Sequence, residues 1–283
     1  MTAAREGGDG APTPADVPPP EPLPAEALDS HCHLEMVERP VGEVLAAARA
    51  ANITRVVTIG TDLATSRWAV DAAYGHAGLY AAVAVHPNET AAAASSPEQR
   101  TEVLAQIAEL ALLERVRAIG ETGLDYYRDH ASPVVQREWF RAHIAIAKQA
   151  GKALVIHDRD AHEDVLEILE ADGPPDKVIF HCFSGDAAMA KRCAEAGYVM
   201  SFAGNVTFSS AGALREAAAA APVDLLLVET DAPFLTPVPY RGKPNSPALV
   251  AHTVRALAEI KQIPVADMCA HLMATGERMF GAW

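Results

Sequence analysis

The chain has 283 residues, half of them hydrophobic, which is enough for a large buried core. Its formal net charge of −14 argues against a broad phosphate-binding surface such as DNA-packaging proteins carry, although a local nucleic-acid cleft stays compatible with it. No run approaches the roughly 18 consecutive apolar residues of a membrane helix, and the N-terminal segment lacks the basic start and apolar centre of a signal peptide.

The first 27 residues differ in composition from the rest of the chain. They contain 7 of the 20 prolines, one basic residue, five acidic residues and almost no large apolar side chains. Such a segment cannot bury enough surface to offset the entropy of ordering it. We therefore predict a disordered proline-rich tail over residues 1–27 and a folded domain over residues 28–283.

From residue 28 onward, short apolar segments alternate with amphipathic or alanine-rich segments. The predicted strands are 28–33, 55–60, 79–85, 116–121, 152–157, 177–182, 198–203 and 225–231. The predicted helices are 41–51, 63–74, 98–113, 134–149, 161–171, 186–196, 210–219, 247–261 and 264–279. Eight strand–helix units in about 250 residues fit an α/β fold, the closed (β/α)8 TIM barrel. An open doubly wound sheet is the competing fold, but no strand is followed by a GxGxxG or phosphate-loop motif.

Histidines and carboxylates end five of the predicted strands, where active sites lie in such a barrel. In the stretch LDSHCHLE, His31 and His33 share one face of the first strand because side chains alternate along a strand. The side chains that end strands 4, 5, 6 and 8 are Glu121, His157, His181 and Asp231. Four imidazoles and two carboxylates without nearby lysines would be destabilising unless cations joined them. The pattern predicts a divalent metal site whose nitrogen and oxygen donors suit Zn, Mg, Mn, Ni or Fe.

Other residues adjoin these candidate ligands. Asp29 and Glu229 share strand faces with them, so each either orients a ligand or is a buried hydrogen-bonded group. The basic residues that follow strands 5 and 8 are Arg159, Arg241 and Lys243. They are near enough to bind phosphate oxygens, although solvated loops would explain them equally well. Cys32 and Cys182 point away from the ligands as packing residues, and four cysteines without a CxxC pair favour a cytoplasmic protein.

Several segments resemble motifs of the TatD family of metal-dependent deoxyribonucleases, within the amidohydrolase-like barrels. These segments are DSHCHL, GETGLDYYR, HDRDAHED, HCFSG, ETDAPFL and RGKPNSP, in the family's order from residue 28 to about residue 280. The resemblance implies two metal ions, with the ligands His31, His33, Glu121 and Asp231 for one and Glu121, His157 and His181 for the other. It further implies that His86 contacts a substrate phosphate and that the enzyme hydrolyses phosphodiester bonds in DNA.

The chain departs from the family pattern at Glu35, where aspartate is common, and in its tail, but at none of the candidate ligands. Two cations can clamp a phosphate and activate water, and Asp231 either takes the proton of that water or only ligates. We therefore expect a cytoplasmic DNase acting on single strands or strand ends, with Asp231 and Glu121 as catalytic residues. No membrane contact and no obligate protein partner are inferred.

Two other functions stay open from the sequence. The same metal site could hydrolyse an amide, lactone or aminoacyl ester bond, because the shape of the substrate pocket and not the identity of the ligands separates these reactions. A barrel that only binds a ligand would be expected to have lost at least one of the six side chains, and none is missing.

Overall fold

Eight parallel strands form one sheet whose order follows the sequence, in a computed structural model that describes residues 17–128 and 130–283. The strands are β1 (Ala27–Cys32), β2 (Ile53–Ile59), β3 (Leu79–Val83), β4 (Val116–Asp125), β5 (Ala153–Arg159), β6 (Val178–Phe180), β7 (Val199–Phe202) and β8 (Leu226–Val228). The ring closes where Cys32 pairs with Ala232 in parallel and the backbone N–H of His33 donates to the Ala232 carbonyl at 2.7 Å. The predicted (β/α)8 barrel is confirmed, and the open sheet is excluded.

Helices follow the strands and surround the ring. They are α1 (Val41–Ala50), α2 (Leu63–Gly75), α3 (Thr90–Ala93), α4 (Pro97–Ala111), α5 (Pro133–Ala150), α6 (His162–Asp172), α7 (Ala187–Glu195), α8 (Gly212–Ala220), α9 (Val250–Lys261) and α10 (Val265–Phe280). Each predicted helix is present within a few residues, and only the single turn α3 was not predicted. None of the helices in the described part of the chain is both long enough and apolar enough to cross a membrane.

The strands are buried on both faces, since one face fills the barrel and the other packs against helices. Every residue of β1, β3, β6, β7 and β8 is buried. This explains why the sequence shows continuous apolar runs and not an alternation of polar and apolar residues.

All eight strands end one to four residues from the predicted ends, and the differences are largest in β4 and β8. β4 continues past Glu121 to Asp125, whereas β8 stops at Val228 and not at Asp231. Asp231 has a φ of +52°, a left-handed conformation that cannot continue a strand. Its backbone N–H donates to the carbonyl of His31 at 2.9 Å, so the chain after β8 is held against β1.

The segment ahead of β1 packs against the barrel from residue 17. The side chain of Leu23 is buried, its N–H donates to the Ala51 carbonyl, and the Asn52 amide donates to its carbonyl. The tail predicted over residues 1–27 therefore differs from the structure over 17–27, because Leu23 supplies apolar contact that the overall composition hides. Residues 1–16 lie outside the described residues.

Gly123 is required where β4 and β5 approach each other. Its φ is +142°, and an added Cβ would lie 2.1 Å from the carbonyl oxygen of His157. We expect Gly123→Ala to lower the free energy of unfolding by about 2 kcal/mol or more, measured by urea denaturation. Gly212→Ala, where an added Cβ meets open space, is the control and should change stability by less than about 0.5 kcal/mol. Equal stabilities of the two variants would contradict this role of Gly123.

A buried histidine in α5 joins β4 to the segment after β3 near the C-terminal end of the barrel. The backbone N–H of Val85 donates to Nε2 of His143 at 3.2 Å, and Nδ1 lies 3.0 Å from the Thr122 hydroxyl. Burial lowers the pKa of His143 to about 4. Since Nε2 accepts a hydrogen bond, the neutral ring is the form that fits the fold.

This histidine should destabilise the fold in acid. Because its folded-state pKa lies below the unfolded value of about 6.5, its contribution is complete above that pH and is lost as the pH falls towards 4. We expect the free energy of unfolding of the wild type to fall more steeply over this window than that of His143→Gln, by up to about 1.4 kcal/mol per pH unit. Urea denaturation at several pH values measures the slopes. His271→Gln, at an exposed residue, should keep the wild-type slope.

Candidate metal centre

The carboxylate of Glu121 lies among imidazoles at the C-terminal end of the barrel. Its Oε1 is 2.6 Å from Nδ1 of His157 and 2.8 Å from Nε2 of His181, and its Oε2 is 3.4 Å from Nε2 of His31. Burial raises the pKa of this carboxyl, but His181, His86 and His157 outweigh burial and hold the pKa well below its usual range. Glu121 is therefore ionised in the folded protein.

On the β1 side of the cluster, two imidazoles face Asp231 as well as Glu121. Nε2 of His33 lies 3.5 Å from Oδ1 of Asp231, and Nε2 of His31 lies 3.7 Å from the same oxygen. Both ring nitrogens of His31 and Nδ1 of His33 are buried without a hydrogen-bond partner in the part of the chain that the structure describes. Buried nitrogens without partners, beside two carboxylates, are what a divalent cation would satisfy.

On the β5 and β6 side, each imidazole lies between Glu121 and a second carboxylate. Nδ1 of His181 lies 3.1 Å from Glu229, and Nε2 of His157 lies 3.4 Å from Asp125. Burial lowers the pKa of both histidines, but the contacts with Glu121 and with the second carboxylates outweigh burial and raise the pKa, because a carboxylate only accepts hydrogen bonds. A divalent cation at the cluster would take the place of the hydrogens on Nε2 of His181 and Nδ1 of His157, the atoms nearest Glu121, and the opposite nitrogens would keep theirs, which is the arrangement of metal-ligating histidines. The donor set therefore fits a divalent metal.

The two carboxylates predicted beside the ligands differ in what they bind. Glu229 contacts the imidazole of His181 and also accepts from the backbone N–H of Cys182 at 2.9 Å. Asp29 accepts from the backbone N–H of Thr230 at 2.9 Å, from the Thr230 hydroxyl and from the backbone N–H of His31. Burial raises the pKa of Asp29 to about 8. Asp29 thus joins β1 to the segment after β8, as a buried hydrogen-bonded group.

His86 lies next to the cluster, but the nitrogen that faces the cluster carries a hydrogen and donates hydrogen bonds. Its Nε2 is 3.3 Å from Oε1 of Glu121, close enough to group geometrically with Glu121 and His157. The backbone N–H of Asn88 donates to its Nδ1 at 3.1 Å, so the hydrogen of the neutral ring is on Nε2. Burial lowers the pKa of His86 and keeps the ring neutral. His86 therefore suits hydrogen bonding to an anion better than cation binding.

A cavity of about 690 Å³ opens over the cluster. Besides the candidate ligands, its lining includes Met36, His86, Asn88, Arg128, Arg159 and Phe234. Metal ligands at the base and hydrogen-bond donors on the wall form a site in which an anionic group could bind.

Of the three basic residues predicted to meet phosphate, only Arg159 lines this cavity among the residues described. Arg241 instead stacks on Phe208, with the guanidinium carbon 4.4 Å from the ring centroid. Lys243 is exposed, and its backbone N–H donates to the carbonyl of Tyr240 in a turn. Within the described part of the chain, neither Arg241 nor Lys243 is among the residues that line the cavity, and contact of these two residues with substrate stays a prediction.

Asp125 is a further carboxylate of the site that was not predicted from the sequence. Besides contacting His157, this carboxylate accepts from the backbone N–H groups of Tyr127 at 3.0 Å and Arg128 at 2.9 Å. It also accepts from the Asn88 side chain at 2.9 Å. The signal was available, because Asp125 follows Glu121 by four residues and a strand that continued would place both on one face.

A (β/α)8 barrel with a histidine and carboxylate cluster at the C-terminal ends of its strands defines a metal-dependent hydrolase. The family model described as TatD related DNase matches residues 28–281. The chain is 44% identical over 263 residues to an uncharacterized metal-dependent hydrolase, TatD, of Mycobacterium tuberculosis, covering 90% of this chain and 97% of that protein. It is 38% identical to the uncharacterized metal-dependent hydrolase YabD of Bacillus subtilis, covering 89% of this chain and 98% of YabD.

A solved structure agrees with these relatives. The crystal structure of YJJV, a TatD homolog from Escherichia coli, superposes with a TM-score of 0.84 at 25% identity, covering 91% of this chain and 98% of that chain. The chain belongs to the TatD family, which confirms the resemblance seen in its motifs.

Removing the acceptor behind His157 should weaken metal binding. In Asp125→Asn the side-chain oxygen can still serve the backbone of Tyr127 and Arg128, but the amide would oppose the Nε2 hydrogen of His157. We expect affinity for Mn²⁺ or Zn²⁺, measured by isothermal titration calorimetry, to fall by about 10- to 100-fold. Asp172→Asn, which removes a surface pair with Arg141, should bind metal as the wild type does. Unchanged affinity of Asp125→Asn would exclude this role.

Proposed function

We propose that this TatD-family hydrolase cleaves phosphodiester bonds in DNA and acts on single strands or strand ends. The observation that carries the proposal is the placement of two anion-binding groups over the candidate metal ligands. Nε2–H of His86 lies at the cluster, and Arg159 lines the same cavity. A phosphate bound between these groups and the cluster would have its charge compensated from both sides.

The proposal includes two divalent ions at the cluster. Their proposed ligands are His31, His33, Glu121 and Asp231 for one and Glu121, His157 and His181 for the other. Zn, Mg, Mn, Ni or Fe would suit these nitrogen and oxygen donors. When bound, such ions lower the pKa of water and polarise a phosphoryl oxygen.

Within this proposal Asp231 accepts the proton of the attacking water. Its side chain is 15% exposed at the cavity, whereas that of Glu121 is 4% exposed. Its backbone is held in place by the hydrogen bond to His31 and by the N–H of Phe234, which donates to the Asp231 carbonyl at 2.8 Å. His86 and Arg159 bind the phosphate oxygens, and Glu121 keeps the imidazoles of the cluster in position.

We place the protein in the cytoplasm. All four cysteines are free thiols, and Cys32, Cys193 and Cys269 are buried. Unpaired thiols are typical of reducing compartments.

The test is hydrolysis of single-stranded DNA in the presence of Mn²⁺ or Mg²⁺. We expect the wild type to release nucleotides and Glu121→Gln to lose at least about 100-fold of this activity, because a neutral amide cannot replace the central carboxylate. Circular dichroism should show that the variant is folded. Glu102→Gln, at an exposed residue of α4, is the control and should keep full activity.

Two outcomes would overturn the proposal. Full activity of Glu121→Gln would remove Glu121 from the reaction. Absence of DNA cleavage by the wild type, together with turnover of an amide, lactone or aminoacyl ester, would assign the metal site to that other class of hydrolysis.

A further inference from the structure

Exposed apolar side chains lie at the mouth of the cavity over the metal centre. Phe234 is 51% exposed and Met36 is 46% exposed, and both line the cavity. Tyr127 is 64% exposed beside the lining residue Arg159. Large apolar groups grouped at a site mouth mark a surface that a ligand covers.

The backbone of Phe234 is hydrogen-bonded on both sides next to the candidate ligands of the β1 side. Its backbone N–H donates to Asp231, and its carbonyl accepts from the side-chain amide of Asn245 at 2.5 Å. Its ring centroid lies 6.2 Å from that of His33. An aromatic ring fixed through its backbone offers a flat surface without a large cost in conformational entropy.

A second aromatic surface lies on the opposite side of the mouth. The guanidinium carbon of Arg159 lies 4.0 Å from the centroid of the Tyr127 ring. The backbone N–H of Tyr127 donates to Asp125, which also contacts His157. Tyr127 follows β4 and Arg159 ends β5, which stand halfway round the ring of eight strands from β8 and β1. The metal centre therefore lies between Phe234 and the Tyr127–Arg159 pair.

Flat aromatic faces combined with an arginine bind nucleobases by stacking and cation–π contact. A base inside a duplex is already stacked on its neighbours, so only an unpaired base can cover such a face. We propose that Phe234 and the Tyr127–Arg159 pair are two stacking subsites for the unpaired bases on either side of the scissile phosphate. This inference rests on the proposed function, and it adds recognition of the base to recognition of the phosphate.

The test compares a base-containing strand with an abasic one on the metal-loaded protein. The probes are short fluorescein-labelled DNA strands with phosphorothioate linkages, which resist hydrolysis, with or without bases. Fluorescence anisotropy in Mn²⁺ gives the dissociation constants. We expect Phe234→Ala and Tyr127→Ala each to weaken binding of the base-containing strand by about 5- to 100-fold and to change binding of the abasic strand by less than about twofold.

Two further variants complete the design. Phe234→Trp keeps a stacking surface and should bind both strands as the wild type does. Tyr74→Ala removes an aromatic side chain of similar exposure, 54%, from the last turn of α2, away from the residues that line the cavity, and should also bind as the wild type does. Elemental analysis of each variant shows whether its metal content is unchanged.

The outcomes separate this inference from the proposed function. Wild-type binding of the base-containing strand by both alanine variants, or equal losses on the two strands, would overturn the stacking subsites while cleavage of DNA by the wild type still stood. Absence of both binding and cleavage of DNA by the wild type would overturn the proposed function and the subsites together.

Discussion

The contact between one buried carboxylate and the imidazoles around it determines how the C-terminal end of this barrel is built. Glu121 is 3% exposed, and a charge so deeply buried is stable only with close partners of opposite or complementary character. Those partners lie on β1 and β5 and in the segments after β3 and β6. The carboxylate thus joins strands on both sides of the ring, and the positions of the surrounding side chains follow from the need to satisfy it.

The histidines on the two sides of this cluster differ in their hydrogen-bond partners. His157 and His181 each have a second carboxylate within 3.4 Å of the ring nitrogen that faces away from Glu121. His31 has no hydrogen-bond partner for either ring nitrogen within residues 17–128 and 130–283. One side therefore has carboxylate partners within the protein, whereas the other carries the larger number of unsatisfied groups.

The barrel and the convergence of six side chains could be predicted because both depend on local periodicity. The alternation of apolar runs with helical segments implies the topology, and the topology brings all strand ends to one rim, including those of His33 and Asp231. The other features of the site depend on contacts between residues far apart in the sequence, which local patterns do not reveal. Gly123 lies inside β4 where β5 comes close, and the strand continues to Asp125, beyond its predicted end at residue 121. The contact of Arg241 with the Phe208 ring, which comes from the segment after β7, is another feature that the local sequence pattern does not reveal.

The closure of the ring has a consequence for the order in which the site can form during synthesis. His31 and His33 belong to the first strand to leave the ribosome, whereas Asp231 appears only after seven more strands have been made. The hydrogen bonds that join β1 to the segment after β8 require both ends of the domain. A nascent chain that has passed β6 already contains Glu121, His157 and His181. The β5 and β6 side of the cluster can therefore form before the β1 side, which still lacks Asp231.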